Sequence, residues 1–384
     1  AHELQQRGFQ AELYEDEAGH AYVRMPGVSE DAQAAWSTRR QQIEVEAAAA
    51  GFTTDANERR ADGIALSTRD TKAESAEAHR GDRWAEEAAE HGWTAERVAE
   101  LRQAGPVEPD GAARHAARER ISALPRQLTE TESTFRRQDL HRHAAEAGAG
   151  ALSPEEIREQ AEAVIAREDV IALESQDGVT RYTTAEVVET ERRVQDTARE
   201  MAQGRAHGLD QQHIERAIAQ QRADLDAKGG ALTAEQEAGI RHATTAEGIA
   251  VVEGSAGAGK STVMRPIADA YREQGYRVIG TSVAWRQAEA IGQDIGAERD
   301  YYATDALLTR LDAGQLQLDQ NTLIVADEAG QMSARQMDRL TAAAHERGAK
   351  LVLTGDQKQK QAVGAGPGLR LVAEEVGTTR FDEI

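Results

Sequence analysis

One stretch of this chain has residue types and spacing that suit chemistry on a polyphosphate. Gly254-Ser255-Ala256-Gly257-Ala258-Gly259-Lys260-Ser261, followed by Thr262, fits G-x-x-x-x-G-K-[ST] at every fixed position. A triphosphate is bulky and carries several negative charges. A loop that holds it must curl around it with backbone N–H groups turned inward. Gly254, Gly257 and Gly259 allow the dihedrals and the close approach that a β-carbon blocks. Lys260 is expected to reach the β- and γ-phosphates, and the Ser261 hydroxyl to ligate Mg²⁺. The amides of Ser255, Ala258 and Thr262 complete the expected cradle for ATP.

More polar groups fall where such a site needs them. Leu323-Ile-Val-Ala326-Asp327-Glu328 is an apolar run ending in paired carboxylates. Asp327 is expected to hold Mg²⁺ through water, and Glu328 to orient and deprotonate the attacking water. Leu351-Val-Leu-Thr-Gly355-Asp356-Gln-Lys-Gln359 ends another apolar run in polar residues. Asp356 is expected to face the nucleotide, and Gln359 to sense the γ-phosphate. Upstream, Leu232-Thr-Ala-Glu-Gln236 precedes the glycine-rich loop by one helix. The Gln236 amide offers a donor and an acceptor to an adenine edge. Gly280-Thr281-Ser282-Val-Ala284-Trp285 follows another short run. Its Trp285 is suited to stacking a single-stranded base, with Thr281 and Ser282 beside it, or else to core packing.

These residues need a scaffold that brings strand ends together. Ile249–Glu253, Arg277–Thr281, Thr322–Ala326 and Leu351–Thr354 are short apolar runs bounded by turn signals, with helical pattern between them. That alternation predicts a parallel sheet covered on both faces. Ligands in such sheets bind at the carboxyl ends of the strands, where the glycine-rich loop lies. A helix is expected over Ser261–Gln274, with its positive dipole end at the phosphates.

The remainder of the chain is acidic and rich in Ala. The net charge of −22 lies mostly before Gly230, which argues against a broad nucleic-acid surface there. There is no Cys, so neither a disulfide nor a thiolate metal site forms. This suits a reducing, cytoplasmic setting. No apolar run approaches the roughly 18 residues of a membrane span, so no membrane insertion is expected. The opening AHELQQRGFQ carries neither an initiator Met nor a signal peptide, and reads as a piece of a longer protein.

Before Gly230 the pattern is mainly helical. A hairpin is expected over Gln10–Tyr14 and Ala21–Met25. Helices are expected from Ser29 or Asp31 to Gly51, over Asp55–Ser67 and Asp82–Glu90, and from Thr94 to Gly105. Ala104–Gly111, with two Pro and two Gly, reads as a linker. A helix over Thr134–Ala147 and another opening at Ser153-Pro154 come next. They are followed by strands at Val170–Glu174 and Val179–Tyr182 around a Gln176-Asp-Gly178 turn. That is the order of a winged helix. His141 and His143 diverge on a helix, which disfavours a metal site. Thr184–Asp226 reads as helix broken at Gly204 and Gly208, and its alternating charges as a solvated face. Lys228-Gly229-Gly230 closes that region. The divisions are therefore 1–105, 106–230 and 231–384.

Taken together, the motif blocks resemble domain 1A of a superfamily 1 helicase of the RecD-like branch, a RecA-like doubly wound α/β fold. GSAGAGKST resembles motif I, GTSVAWRQA motif Ia, DEAGQM motif II, GDQKQ motif III and LTAEQ the adenine-reading Q motif. Trp36-Ser-Thr-Arg39-Arg40-Gln-Gln-Ile43-Glu and Ala65-Leu-Ser-Thr68-Arg69-Asp-Thr-Lys72, with Trp84 and His91-Gly92, resemble the end of the relaxase domain in TrwC/TraI-type conjugative relaxase–helicases. Leu128–Phe135, and Arg181–Thr184 with Glu191, resemble that family's relaxase–helicase linker. The resemblance implies ATP-driven 5′-to-3′ translocation on single-stranded plasmid DNA during conjugation in a bacterial cytoplasm. It also implies a type IV secretion coupling protein as a partner; the alternative reading is a recruitment module, in which roughly residues 112–230, with the motor's surface, act as the secretion signal that this partner recognises. The three-histidine cluster and paired Tyr nucleophiles of the family's nicking centre have no match here; Tyr14 and Tyr22 are not such a pair. The second RecA-like domain is not matched either, so weak nucleotide binding and poor hydrolysis are expected. A P-loop kinase would have no use for Gln236 or Gly355–Gln359. A RecD-like repair helicase would have no use for the Trp36–Glu44 and Ala65–Lys72 blocks.

Overall fold

The structure, a computed structural model, describes residues 2–15, 21–28, 88–89, 92–102, 109–174, 178–254, 259–356 and 366–381. The expected helices between Ser29 and Ser67, most of the one over Asp82–Glu90, and the Trp36–Glu44 and Ala65–Lys72 blocks lie outside the described residues. The chain divides into two compact units, residues 1–122 with 141–163, and residues 123–140 with 164–384.

The first unit opens with helix α1 (His2–Gln6) and an antiparallel hairpin, β1 (Glu12–Glu15) and β2 (Ala21–Arg24), in the expected place. The Gln5 amide is buried and donates to the carbonyls of Ala11 and Gly150. Helix α2 (Ala95–Leu101) starts at Thr94, whose hydroxyl accepts from the Arg97 amide, the cap its sequence signals. The 21-residue helix α3 (Gly111–Thr131) begins at the last residue of the expected linker and carries Pro125 inside it. Proline removes one backbone donor at that point.

The chain then runs through β3 (Phe135–Arg136), α4 (Arg137–Gly148), α5 (Pro154–Ile165), β4 (Val170–Leu173) and β5 (Arg181–Thr184). The helix expected from Thr134 starts at Arg137 instead. Phe135 and Arg136 are extended because they pair with Tyr182 and Arg181, and the Phe135 and Tyr182 rings stack at 6.0 Å. Helix α5 has Pro154 at its first position and a reciprocal cap between Ser153 and Glu156. Helix, strand, two helices and two strands, with sheet order β3-β5-β4, is winged-helix connectivity. His141 contacts Glu162 at 2.7 Å, and no metal-ligating cluster occurs among the described residues.

The second unit is built on a six-stranded parallel sheet of order β11-β6-β10-β9-β7-β8. Four strands fall where the apolar runs predict them: β6 (Ile249–Gly254), β7 (Arg277–Ser282), β9 (Thr322–Ala326) and β10 (Lys350–Gly355). Nearly every residue in them is buried, because helices cover both faces. The edge strands β8 (Tyr301–Ala303) and β11 (Thr379–Phe381) are three residues long, too short for a periodicity to show.

One face packs on Val251, Ile279, Ile324, Leu351 and Leu353. It is covered in part by α6 (Ala185–Gln203), which buries Val194, Ala198 and Met201 there. The expected solvated face of this stretch is therefore only one side of it. Arg193 and Arg199 pair outward with Asp338 at 2.7 Å and Glu375 at 2.9 Å. The packing of the sheet thus extends back beyond the expected boundary at Gly230. The other face carries α7 (Gln211–Asp226), α8 (Ala234–Ala243) and α9 (Lys260–Glu273), whose Ile218, Ile240, Val263, Met264 and Ile267 meet Ala250, Val252, Val325 and Val352.

Candidate nucleotide site

The middle strands β6, β9 and β10 end side by side, and each hands its last residues to one crevice. Parallel register fixes this. Leu353 of β10 is level with Ala326 of β9, and Thr354 with Val252 of β6. Helix α9 starts at Lys260 immediately beyond, so its free amides point at the same place. Gly254 and Gly259, the two described glycines of the loop, are both required by their surroundings. A Cβ on Gly254 would press into the Phe381 ring, 2.8 Å from Cζ, and lie 3.0 Å from Cγ of Lys260. Gly259 sits at φ +80°, and a Cβ there would be 2.7 Å from Nε2 of Gln236.

Lys260 Nζ lies 3.1 Å from Oε1 of Glu328, although 68 residues separate them in sequence. Both side chains are largely buried. Glu328 has φ +50°, the sole non-glycine with positive φ among the described residues. Such a conformation costs of order 1–3 kcal/mol and persists only where packing enforces it. The packing here is visible. The short 3-10 turn Ala329–Gln331 is wedged against the end of β10, where a Cβ on Gly355 would lie 3.1 Å from the Gly330 amide and 3.3 Å from that of Ala329. A Cβ on Gly330 would in turn meet the Asp356 carbonyl at 3.1 Å. The backbone turn that follows the carboxylate pair and the Gly355-Asp356 corner are thus in direct contact.

Asp327 follows β9 and is anchored by its amide, which donates to the Thr281 carbonyl at 2.8 Å. Burial pushes its carboxyl up to about 6, and the charges of Glu328 and Asp294 add to that. The Glu328 amide and Lys260 act in the opposite direction. Its Oδ1 is buried without a hydrogen-bond partner. A buried carboxylate oxygen of that kind is stabilised by a cation. Ser261, exposed on the first turn of α9, supplies a second hard oxygen. A carboxylate and a hydroxyl oxygen suit Mg²⁺, which takes few protein ligands and keeps much of its hydration shell. The residues present therefore fit the ion that the loop implies.

The other expected residues fall as follows. Gln236 is 6% exposed and its Oε1 accepts from the Thr233 amide at 3.1 Å, closing a reciprocal cap on α8. Its Nε2 faces Gly259, so it borders the loop. Thr262 is half-buried beside Gly259, and Asp356 is half-buried at the tip of β10. Ser255, Gly257, Ala258 and Gln359 lie outside the described residues. Thr281 and Ser282 are fully buried. The Thr281 hydroxyl donates to the Tyr302 carbonyl at 2.9 Å and Ser282 contacts Gln287, so these two side chains brace the strand end and offer no surface to a strand of DNA. Trp285 opens α10 (Trp285–Asp294), is 52% exposed and has its ring 5.9 Å from that of Tyr301. Phe381, Thr354 and Tyr301 border these groups without having been singled out. A lone aromatic in a three-residue strand, or a threonine inside an apolar run, carries no signal until its neighbours are known.

Two family models match the chain, TrwC relaxase over residues 1–91 and AAA domain over residues 231–384. Together the two matches are consistent with a fragment of a TrwC/TraI-type relaxase–helicase. It is 35% identical over 204 residues to a probable conjugal transfer protein TraA of Sinorhizobium fredii, a match that covers 53% of this chain and 18% of the relative. It is also 36% identical to TraA proteins of Rhizobium radiobacter, over 153 residues, and Agrobacterium fabrum, over 155 residues. Each of those matches covers 40% of this chain and 14% of the relative. The chain therefore spans less than a fifth of the length of these relatives. The AAA match covers residues 231–384, and the parallel sheet with its flanking helices is the expected RecA-like fold. No helix among the described residues is long and apolar enough to cross a membrane.

Proposed function

We propose that this chain contributes an ATP-binding motor domain to a conjugative relaxase–helicase, which translocates 5′-to-3′ on single-stranded plasmid DNA in the bacterial cytoplasm. The observation that carries the reading is the meeting of Lys260 with Glu328 at 3.1 Å, beside the buried, unpartnered Asp327 Oδ1. Cation, carboxylates and the start of α9 converge there from separate strands, as phosphoryl chemistry requires.

In this reading Lys260 and the α9 amides bind the phosphates, and Ser261 with Asp327 holds Mg²⁺, which supplies charge neutralisation on the phosphate oxygens. Glu328 orients the attacking water and accepts its proton. Gln236, at the edge of the loop, meets the base. The contact of Gly355-Asp356 with the Glu328 turn lets the state of the carboxylates reach the segment that continues to Gln359. Trp285 is the proposed stacking surface for a DNA base. The conjugal transfer role of the TraA relatives, whose chains are several times longer, supports plasmid DNA as the track and a type IV secretion coupling protein as a partner.

The test is binding of fluorescent ADP with Mg²⁺ to the wild-type chain and to Lys260→Ala. Loss of a charge-assisted hydrogen bond to phosphate is worth about 1.5–3 kcal/mol, so affinity should fall by about 10- to 100-fold. Equal affinity in both proteins, or no binding by the wild type, overturns the assignment.

A further inference from the structure

Thr354 is the penultimate residue of β10, at the tip of the sheet, and is fully buried. Its hydroxyl has no hydrogen-bond partner. Every other buried threonine among the described residues uses its hydroxyl. Thr129, Thr183, Thr190, Thr244, Thr281 and Thr341 donate to carbonyls, Thr184 caps a helix, and Thr304 and Thr322 meet side chains. An unsatisfied buried hydroxyl is costly, and an apolar residue of the same shape avoids that cost. Valine would fit the strand better unless the hydroxyl has work to do.

Its position says what work. Leu351 and Leu353 pack on one face of the sheet, whereas Val352 packs on the other with Val263, Met264 and Ile267 of α9. Alternation puts Thr354 on the α9 face. In the parallel register Leu353 is level with Ala326, and Thr354 and Asp327 are the residues that follow them at the two strand tips. Asp327 carries the other orphaned oxygen at the strand tips, Oδ1. Two buried oxygens without partners thus stand on adjacent strand ends beside the start of α9.

We propose that Thr354 is a positioning residue of the nucleotide site, its hydroxyl and Asp327 Oδ1 together holding the hydration water of a divalent cation. The inference rests on the nucleotide-site reading above and adds a residue to it. A hydroxyl both donates and accepts, so it can receive a water proton and still donate onward. It acts through that water and touches neither the phosphates nor the reacting atoms.

The experiment compares the wild type, Thr354→Val and Thr354→Ser. The first measurement is thermal unfolding without nucleotide or Mg²⁺. The second is the Mg²⁺ concentration that half-saturates ADP binding, with ADP affinity in EDTA as the reference. In Thr354→Val the unfolding temperature should be unchanged or higher, ADP affinity in EDTA unchanged, and the Mg²⁺ requirement raised by about 5- to 30-fold, the worth of one or two buried hydrogen bonds. Thr354→Ser should restore the wild-type requirement. An unchanged Mg²⁺ requirement in Thr354→Val overturns the inference, as does a lowered unfolding temperature, which would mean that the hydroxyl serves the fold. If the wild type binds no ADP at any Mg²⁺ concentration, the nucleotide-site reading itself falls. If it binds and the valine variant matches it, only the role of Thr354 falls.

Discussion

Gly254→Ala tests how the phosphate loop is seated. The added methyl would lie 2.8 Å from Cζ of Phe381, closer still to Cε2, and 3.0 Å from Cγ of Lys260. Carbon atoms prefer about 3.5–4.0 Å, so the shortfall to Cζ alone is about 0.7 Å. The ring cannot simply yield. Phe381 is fully buried, level with Gly254 on the neighbouring strand, and enclosed on its other side by Gly239 of α8. Overpacking of this kind costs about 1–3 kcal/mol. In a unit of this size that lowers the unfolding temperature by about 2–4 °C per kcal/mol. Shortening the ring should relieve it, so Phe381→Leu and Gly254→Ala should couple favourably by about 0.5–3 kcal/mol. The clash with Lys260 remains in the double variant. Stability should therefore recover while ADP affinity stays low. The assay is urea unfolding followed by the fluorescence of Trp285, the one tryptophan of this unit, alongside ADP titration. Gly254→Ala within about 0.5 kcal/mol of the wild type, or strict additivity in the double variant, would refute the argument.

Two further outcomes follow from the same geometry. Trp285→Ala should weaken single-stranded DNA binding by about 1–3 kcal/mol, as loss of one stacking surface does, and leave urea stability, here followed by circular dichroism, within about 0.5 kcal/mol because the ring is half exposed; full retention of affinity would remove Trp285 from the DNA path. Lys350 is fully buried at the opposite end of β10 and donates to the carbonyls of Thr245 at 3.1 Å and Glu247 at 2.7 Å. Burial lowers its pKa from 10.5 to about 7. Between those values the unfolded chain binds the proton that the folded chain has lost, so stability should rise as pH increases from about 7 to 10.5. Lys350→Met should flatten that slope in urea titrations; an equal slope in both proteins would show that the ammonium titrates normally.

Much of the site was legible because its chemistry is local in sequence. Gly254 to Thr262 reads as strand, loop and helix, since only that order places free amides around a phosphate, and the described parts of it are the strand end at Gly254 and the helix from Lys260. The apolar runs before Asp327 and Gly355 had to be buried parallel strands, and they are. The amphipathic length of Ala185–Gln203 was equally plain, but not its partner. Its charges looked like a solvated face until packing showed Val194 and Ala198 beneath the sheet, with Arg193 and Arg199 as its rim. The winged connectivity around Phe135 was half visible, because a two-residue strand has no period.

The chain's own residue order thus decided which groups could bind a nucleotide and which segments would carry them. Spacing along the backbone sets helix caps, strand lengths and loop conformations, and these are properties of neighbours. Folding alone decided that Lys260 meets Glu328, that Gln236 borders Gly259, that Phe381 closes over Gly254, that Thr281 and Ser282 turn inward while Trp285 stays out, and that Thr354 and Asp327 come to neighbouring strand tips. Those pairings join residues far apart in sequence. They arise from strand order and register, which depend on how whole faces bury against each other and leave no trace in any single stretch.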